Sequence, residues 1–178
     1  NNSLSIAAIV KYEFIQCQFL DDFMDRIDKR ILTLLQQDAT TPVAEIGKKV
    51  GLSTTPCWRR IQKLEEDGVI TKRVAVLDPK SVNARVTVFV SIKTNSHNAE
   101  WLKRFSEVTS QFPEVVELYR MSGDIDYLLR VVVPDIQAYD DFYQQLINKI
   151  DITDVSSSFA MEQMKYTTQL PLDYLLEN

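Results

Sequence analysis

The sequence predicts an α+β chain, with an N-terminal winged helix-turn-helix joined to a C-terminal ferredoxin-like βαββαβ domain. Three observations carry that prediction. Between residues 25 and 67, apolar residues recur at helical spacing in short segments punctuated by glycine. Near residue 84 the period switches to strict alternation, the mark of strands. From there to about residue 165 the segments run in the order β-α-β-β-α-β.

The first helix is expected from Asp25, where Ile27, Ile31, Leu34 and Leu35 make one apolar face. In DATTP, Thr41 is placed to cap a second helix and Pro42 to take its first position. Val43, Ile46 and Val50 line that helix, and Gly51 ends it in the left-handed conformation. Ser53 is already the next good cap, so the turn is only a few residues long. A third helix then runs from Thr54 to Asp67, with Cys57, Ile61 and Leu64 inward and Gly68 stopping it. The following VITKRVAVL, residues 69–77, reads as a wing strand or extended connector that ends at Asp78-Pro79.

In ARVTVFVSIKT, residues 84–94, Val86, Val88, Val90 and Ile92 share one face. A helix is expected over 99–111 and a strand over 114–121. The tripeptide SGD turns the chain into a strand over 125–133. Pro134-Asp135 opens a helix reaching about Lys149, and a last strand spans 155–165. Two helices cover one sheet face, and the other needs a cover. Phe89, Leu129 and Phe159 are assigned to that open face, with self-association as its natural cover. The resulting division is an extension over 1–23, a DNA-binding domain over 24–72 and a linker strand over 73–83. A ligand-binding and oligomerisation domain over 84–166 and a C-terminal tail over 167–178 complete it. The extension, NNSLSIAAIVKYEFIQCQFL and onward, has no clear period, and Met24 immediately precedes the first helix. It reads either as upstream read-through or an expression remnant, or as an amphipathic arm that packs on a neighbour.

Composition narrows the function classes. The 178 residues are 45% hydrophobic and 25% charged, the balance of a globular chain able to bury a core. No apolar run is long enough to span a bilayer, and no membrane partner is expected. Cys17 and Cys57 stand apart, and His97 is the one histidine, so neither a disulfide framework nor a metal site is expected and a reducing cytoplasm is the default. The net charge of −5 conceals an asymmetry. Residues 24–72 carry nine Lys/Arg against seven Asp/Glu, whereas residues 73–178 carry ten against fifteen.

Two places can carry chemistry. The outward face of the third helix presents Thr54, Thr55, Trp58, Arg59, Arg60, Gln62 and Lys63. Arg and Gln are the side chains that pair bidentately with base edges, and Lys and Arg farther along neutralise phosphates. An ordinary solvated basic face is the bland alternative; the preceding helix, tight turn and wing favour DNA. Trp58 is expected to be partly buried. The second place is MSGDIDY, residues 121–127, which holds the only glycine of the second half. Gly123 either serves a hairpin turn alone or exposes amides for a carboxylate, with Asp126 for an ammonium group. Nothing resembles an enzyme: there is no phosphate loop and no nucleophile elbow, and His97 sits in a polar loop with no paired acid at a telling spacing, so no catalytic residue is assigned.

The motifs MDRIDKRILTLLQQD, VGLSTTPCWRRIQKLEEDGVI, VTVFVSI, SGDIDYLLRVVVPDIQAYDDF and SSFAMEQMKYTTQLPL follow one another between Met24 and Pro171. Together they resemble the Lrp/AsnC (feast/famine) bacterial transcription regulators. The resemblance implies a winged helix-turn-helix joined to an amino-acid-sensing (RAM) domain. It also implies double-stranded operator DNA as partner, a homodimer that stacks into an octamer, and a cytoplasmic, nucleoid-associated protein. Its effector site would comprise Ser122, Gly123, Asp124 and Asp126, with Ser157 from the last strand. No cofactor is implied beyond an amino-acid effector, and the ending KYTTQLPL is similar to leucine- or methionine-responsive members. An amino-acid-binding oligomer with little specific DNA binding is the competing reading.

Overall fold

The computed structural model describes residues 24–96 and 98–175. The N-terminal extension with Cys17, and His97, lie outside the described residues. The chain forms two compact units. Among the described residues, one comprises 24–75 with 166–175, and the other is Val76–Lys165.

The first unit is built on α1 (Arg26–Gln37), α2 (Val43–Val50) and α3 (Thr54–Glu66). Asp25 caps α1: its carboxylate accepts from the amides of Ile27 and Asp28 at 2.8 and 2.9 Å. Asp28 reciprocates by accepting the Asp25 amide at 3.2 Å, which closes a capping box. The start of α2 lies one residue later than expected. Pro42 is its N-cap and makes no side-chain cap bond, so Thr41 does not cap it. Gly51 closes α2 with φ 81°, as its position predicts, while the Leu52 amide donates to the Gly47 carbonyl at 2.8 Å. A side chain at Gly47 would put its Cβ 2.8 Å from the Leu52 carbonyl oxygen, so the tight turn needs two glycines, one for conformation and one for room.

Ile31, Leu32, Ile46, Val50, Cys57, Ile61 and Leu64 form the core of this unit, with Ile27, Leu34, Val43 and Leu172 packed against it. The inward stripe of α3 is the one its periodicity predicts. Residues 71–77 run exposed and pair with no strand among the described residues, so the segment is an extended connector rather than a paired wing.

The second unit contains β1 (Val86–Lys93), α4 (Ala99–Thr109), β2 (Val115–Arg120), β3 (Tyr127–Val133), α5 (Ile136–Lys149) and β4 (Asp154–Phe159). The strands form one antiparallel sheet in the order β2-β3-β1-β4. Val88, Val90 and Ile92 of β1 join Leu129, Val131 and Val133 of β3 in a core with Phe105, Phe142 and Leu146 from the helices. Trp101 stacks on Phe105, and both rings meet Tyr127. The last strand ends at Phe159, six residues short of the expected Lys165.

The open face differs from the sequence expectation. Leu129 is fully buried in the helix-covered core. Phe159 also turns to the helix side, where its ring meets Tyr139 of α5 edge-on at 5.2 Å. Of the three residues assigned there, only Phe89 remains on the open face, 38% exposed. A strand changes face at every residue, and Leu129 pairs with Val90 while Phe159 pairs with Val88, both inward positions. The partners of Phe89 across the open face are Arg130 and Ser158, with Leu128 and Val132 beside Arg130 in β3.

Candidate nucleic-acid interface and ligand loop

Helix α3 divides its polar residues by angle. At about 100° per residue, Thr55, Arg59 and Gln62 fall on one stripe opposite Cys57, Ile61 and Leu64. Thr54, Thr55, Trp58, Arg59 and Lys63 are exposed and Gln62 is half-buried. Trp58 keeps 51% of its surface in solvent. Arg59 makes no hydrogen bond or ion pair to any of the described residues. Gln62 donates from Nε2 to Glu65 Oε2 at 2.9 Å, and Glu65 also accepts from Arg73 at 2.8 Å, which anchors the start of the extended connector to α3.

Arg60, one residue on, faces elsewhere. Its Nη1 lies 2.8 Å from Asp25 Oδ2 and 2.9 Å from Asp28 Oδ1, bracing α3 against the first turn of α1. Hydrogen bonding to Asp28 first, and to Asp25, raises the Arg60 pKa despite desolvation. Burial pushes the Asp25 carboxyl up, but the Asp28 amide, the Arg60 guanidinium and the Ile27 amide together bring it below the ordinary carboxylate value. Arg60 is thus placed among the base-reading residues by its position in the sequence, but the fold neutralises it. The shallow cleft beside it is lined by Asp25 and Asp28 from the start of α1 and by Arg59, Lys63 and Leu64 of α3, so Arg59 and Lys63 border the brace without joining it.

The candidate ligand loop joins β2 to β3. The Met121 amide donates to the Asp126 carbonyl at 2.8 Å, and the Asp126 amide donates to the Ile92 carbonyl at 2.9 Å. Gly123 sits at φ 131°, a conformation L side chains rarely adopt, so the glycine has a backbone reason for its place. Ser122, Gly123 and Asp124 are exposed at the tip.

Asp126 is used by the fold: its Oδ2 accepts the Thr94 amide at 2.8 Å, tying the start of β3 to the end of β1. Arg130, farther along β3, pairs with Glu117 across β2 and β3. That pairing holds the Glu117 carboxyl below its ordinary value.

Ser157 lies on the helix side of β4, where its hydroxyl bonds the Tyr139 hydroxyl. Its neighbours Ser156 and Ser158 pair with Ser91 and Phe89 and so take the open face. Strands β3 and β4 flank β1, so Ser157 stands two strand spacings, roughly 10 Å, from the loop strand. Within one chain the loop and Ser157 do not converge. The residues that finish this end of the sheet, Thr94 and Thr153, escaped sequence reasoning. Thr94 Oγ1 accepts the Ser96 amide and Thr153 Oγ1 accepts the Asn95 amide. A threonine in a polar loop carries no periodic signal, so nothing in KTNSH or DITD marks these bonds in advance.

Three packed helices with a glycine-closed turn, together with a four-stranded sheet backed by two helices, define a helix-turn-helix DNA-binding protein with a separate ligand-binding domain. Residues 24–65 match the AsnC-type helix-turn-helix domain, and residues 87–170 match the Lrp/AsnC ligand binding domain. The chain belongs to the Lrp/AsnC family, whose members are transcription regulators and not enzymes.

It is 48% identical over 151 residues to the DNA-binding transcriptional activator DecR of Escherichia coli K12, covering 84% of this chain and 99% of that protein. It is 49% identical over 153 residues to the glutamate uptake regulatory protein of Zymomonas mobilis, covering 86% and 91%. Among solved structures, an AsnC family transcriptional regulator from Agrobacterium tumefaciens superposes with a TM-score of 0.83 at 74% identity, over 86% of this chain and 100% of that one. A transcriptional regulator–L-Met complex from Neisseria meningitidis gives a TM-score of 0.81 at 32% identity, over 86% and 99%. No helix among the described residues is long and apolar enough to cross a membrane.

Proposed function

We propose that this protein is a sequence-specific DNA-binding regulator whose assembly and DNA affinity respond to a bound amino acid. The observation that carries the DNA reading is the outer stripe of α3. Thr55 and Arg59 are exposed there, and Arg59 keeps its charge available while Arg60 is neutralised within the fold. Arg59 then reads a base edge or a phosphate in the major groove, Gln62 and Thr55 lie beside it, and Thr54, Trp58 and Lys63 flank the contact.

The functional unit is a dimer at least. Phe89, Leu128 and Val132 lie on a sheet face that neither helix covers, with the Glu117–Arg130 pair among them, and a second copy supplies the cover. Two recognition helices then read half-sites about 34 Å apart, or a multiple of that, on a roughly palindromic operator. Stacking of dimers into an octamer extends the same proposal, as does a place of work on the nucleoid in the cytoplasm.

For the effector, the exposed tip Ser122-Gly123-Asp124 offers backbone amides for a carboxylate. Asp124 makes no hydrogen bond to any of the described residues, so it suits the ammonium group better than Asp126, whose carboxylate holds Thr94. Ser157 enters only if a second copy brings the two regions together. An L-Met complex of a structural neighbour and a relative named leucine-responsive regulatory protein support an amino acid of the methionine or leucine class.

The test is a mobility-shift titration at graded salt against a duplex selected from random sequence by the protein itself. Tight binding that persists at physiological salt and is lost in Arg59→Ala supports the proposal. Binding that collapses with salt, alike for every sequence, favours an amino-acid-binding oligomer with incidental basic charge.

A further inference from the structure

The segment beyond the last strand serves neither the outer face of α3 nor the ligand loop, yet directional contacts hold it. The Leu170 amide donates to Gln36 Oε1 at 2.6 Å, and Gln36 Nε2 donates back to the Leu170 carbonyl at 3.2 Å. A side-chain amide thus offers the same donor and acceptor pair that a neighbouring strand would offer. Two residues on, Leu172 packs against the apolar core of α1, α2 and α3, within a single 3-10 turn Leu172–Tyr174. Asp173 meets Lys29 at 3.1 Å, but Asp173 is almost fully exposed, so this ion pair contributes little. The seat rests on Gln36 and the Leu172 site.

Lys29 and Gln36 are seven residues apart, two turns of one helix, and so present one face of α1 to the segment. The first turn of α1 also carries Asp25 and Asp28, which grip Arg60 of α3. One helix therefore takes the C-terminal segment along its length and braces the recognition helix at its start.

We propose that residues 167–175 are a docking strap. This extended peptide seats on α1 through Gln36 and the Leu172 site, and by steadying α1 it positions α3 for DNA. The occupant of the seat is the chain's own C-terminal segment. Gln36 and Leu172 are positioning residues that touch no DNA. The effect on DNA binding rests on the reading of α3 given above, whereas the seating of the peptide does not.

The experiment compares the full chain with a chain stopped after Lys165, using a fluorescent duplex selected from random sequence by the full chain. Affinities are read by anisotropy at a temperature where circular dichroism shows both chains folded. The shortened chain is expected to bind about tenfold more weakly, the free energy of one part-buried leucine with its hydrogen bonds. A synthetic peptide of residues 166–175, added in trans, restores the affinity, and Gln36→Ala in the shortened chain abolishes that rescue. Gln36→Ala in the full chain gives a smaller loss in the same direction and stands in if the shortened chain does not fold. Equal DNA affinity of both chains overturns the positioning role even if the melting temperature falls. Failure of a labelled peptide to bind the shortened chain, or rescue indifferent to Gln36→Ala, overturns the seat itself. If Arg59→Ala leaves the affinity of the full chain intact, the reading of α3 fails, and peptide binding still decides the seat.

Discussion

Helix α3 and the loop over 121–126 were both marked as candidate sites by a glycine and by charged residues beside it, and the structure treats them differently. In α3 the roles are separated by rotation. Arg59 points outward, Arg60 turns to Asp25 and Asp28, and Cys57 and Ile61 go to the core, all within five residues. A helix gives each residue its own direction, so structural and functional side chains coexist at neighbouring positions. The turn at 121–126 has no rotation to separate roles and divides them only by position along the chain. Its short span must reverse the chain and close the end of the sheet, and it draws Asp126 into that work through the Thr94 amide. Helical sites can be read residue by residue, whereas a carboxylate in a tight turn is first a candidate for holding the turn.

The largest effect expected from this contrast is Arg60→Ala. It leaves Asp28, 8% exposed, facing Asp25 without its cation. The loss should be about 2–3 kcal/mol of stability, at or below the lower bound of what breaking a fully buried pair costs, because Arg60 and Asp25 are partly exposed. Denaturant unfolding measures it, and an unchanged midpoint shows that the brace carries no load. Arg59→Ala should do the reverse, with a melting temperature close to the parent's and about 1–3 kcal/mol lost on the specific duplex. If the two substitutions behave alike, the division of labour along α3 is wrong.

The loop gives a second, smaller pair. Asp124→Asn should weaken amino-acid binding roughly tenfold, near the lower end of 1.5–3 kcal/mol for a charge-assisted bond, with little change in melting temperature. Asp126→Asn should lower the melting temperature by a few degrees, because a neutral amide oxygen accepts the Thr94 amide less strongly. Calorimetric titration beside thermal unfolding separates the pairs. A mutant at 126 that melts like the parent but no longer binds the effector would return the ligand role to Asp126.

The smallest effect is in acid. The carboxyls of Asp25 and Glu117 are held below their ordinary values in the folded chain, so the unfolded chain binds protons more readily there. Their stabilisation is complete above the ordinary carboxylate range near pH 4 and fades as pH falls through the lowered values. Melting curves between pH 6 and pH 3 should show the decline, and Asp25→Asn should flatten its share of it.

Much of this architecture was legible because its causes are local. The three helices, the left-handed Gly51, the alternation of β1 and the β-α-β-β-α-β order follow from periods and breakers within short windows. The face of Leu129 and Phe159 was not legible. Strand register is set by pairing with residues far along the chain, and a shift of one residue exchanges the faces.

By itself the sequence determined the family, the two-part architecture and the stripe of α3 that faces outward, since each depends on residue type and short-range spacing. Only the tertiary structure decided which arginine is neutralised, which aspartate the sheet consumes and where the C-terminal segment goes. Arg60 meets Asp28 across 32 residues, Asp126 meets Thr94 across 32, and Leu170 meets Gln36 across 134. Partners at such distances are chosen by the packing of whole elements, and that packing leaves no period in the chain for a sequence to display.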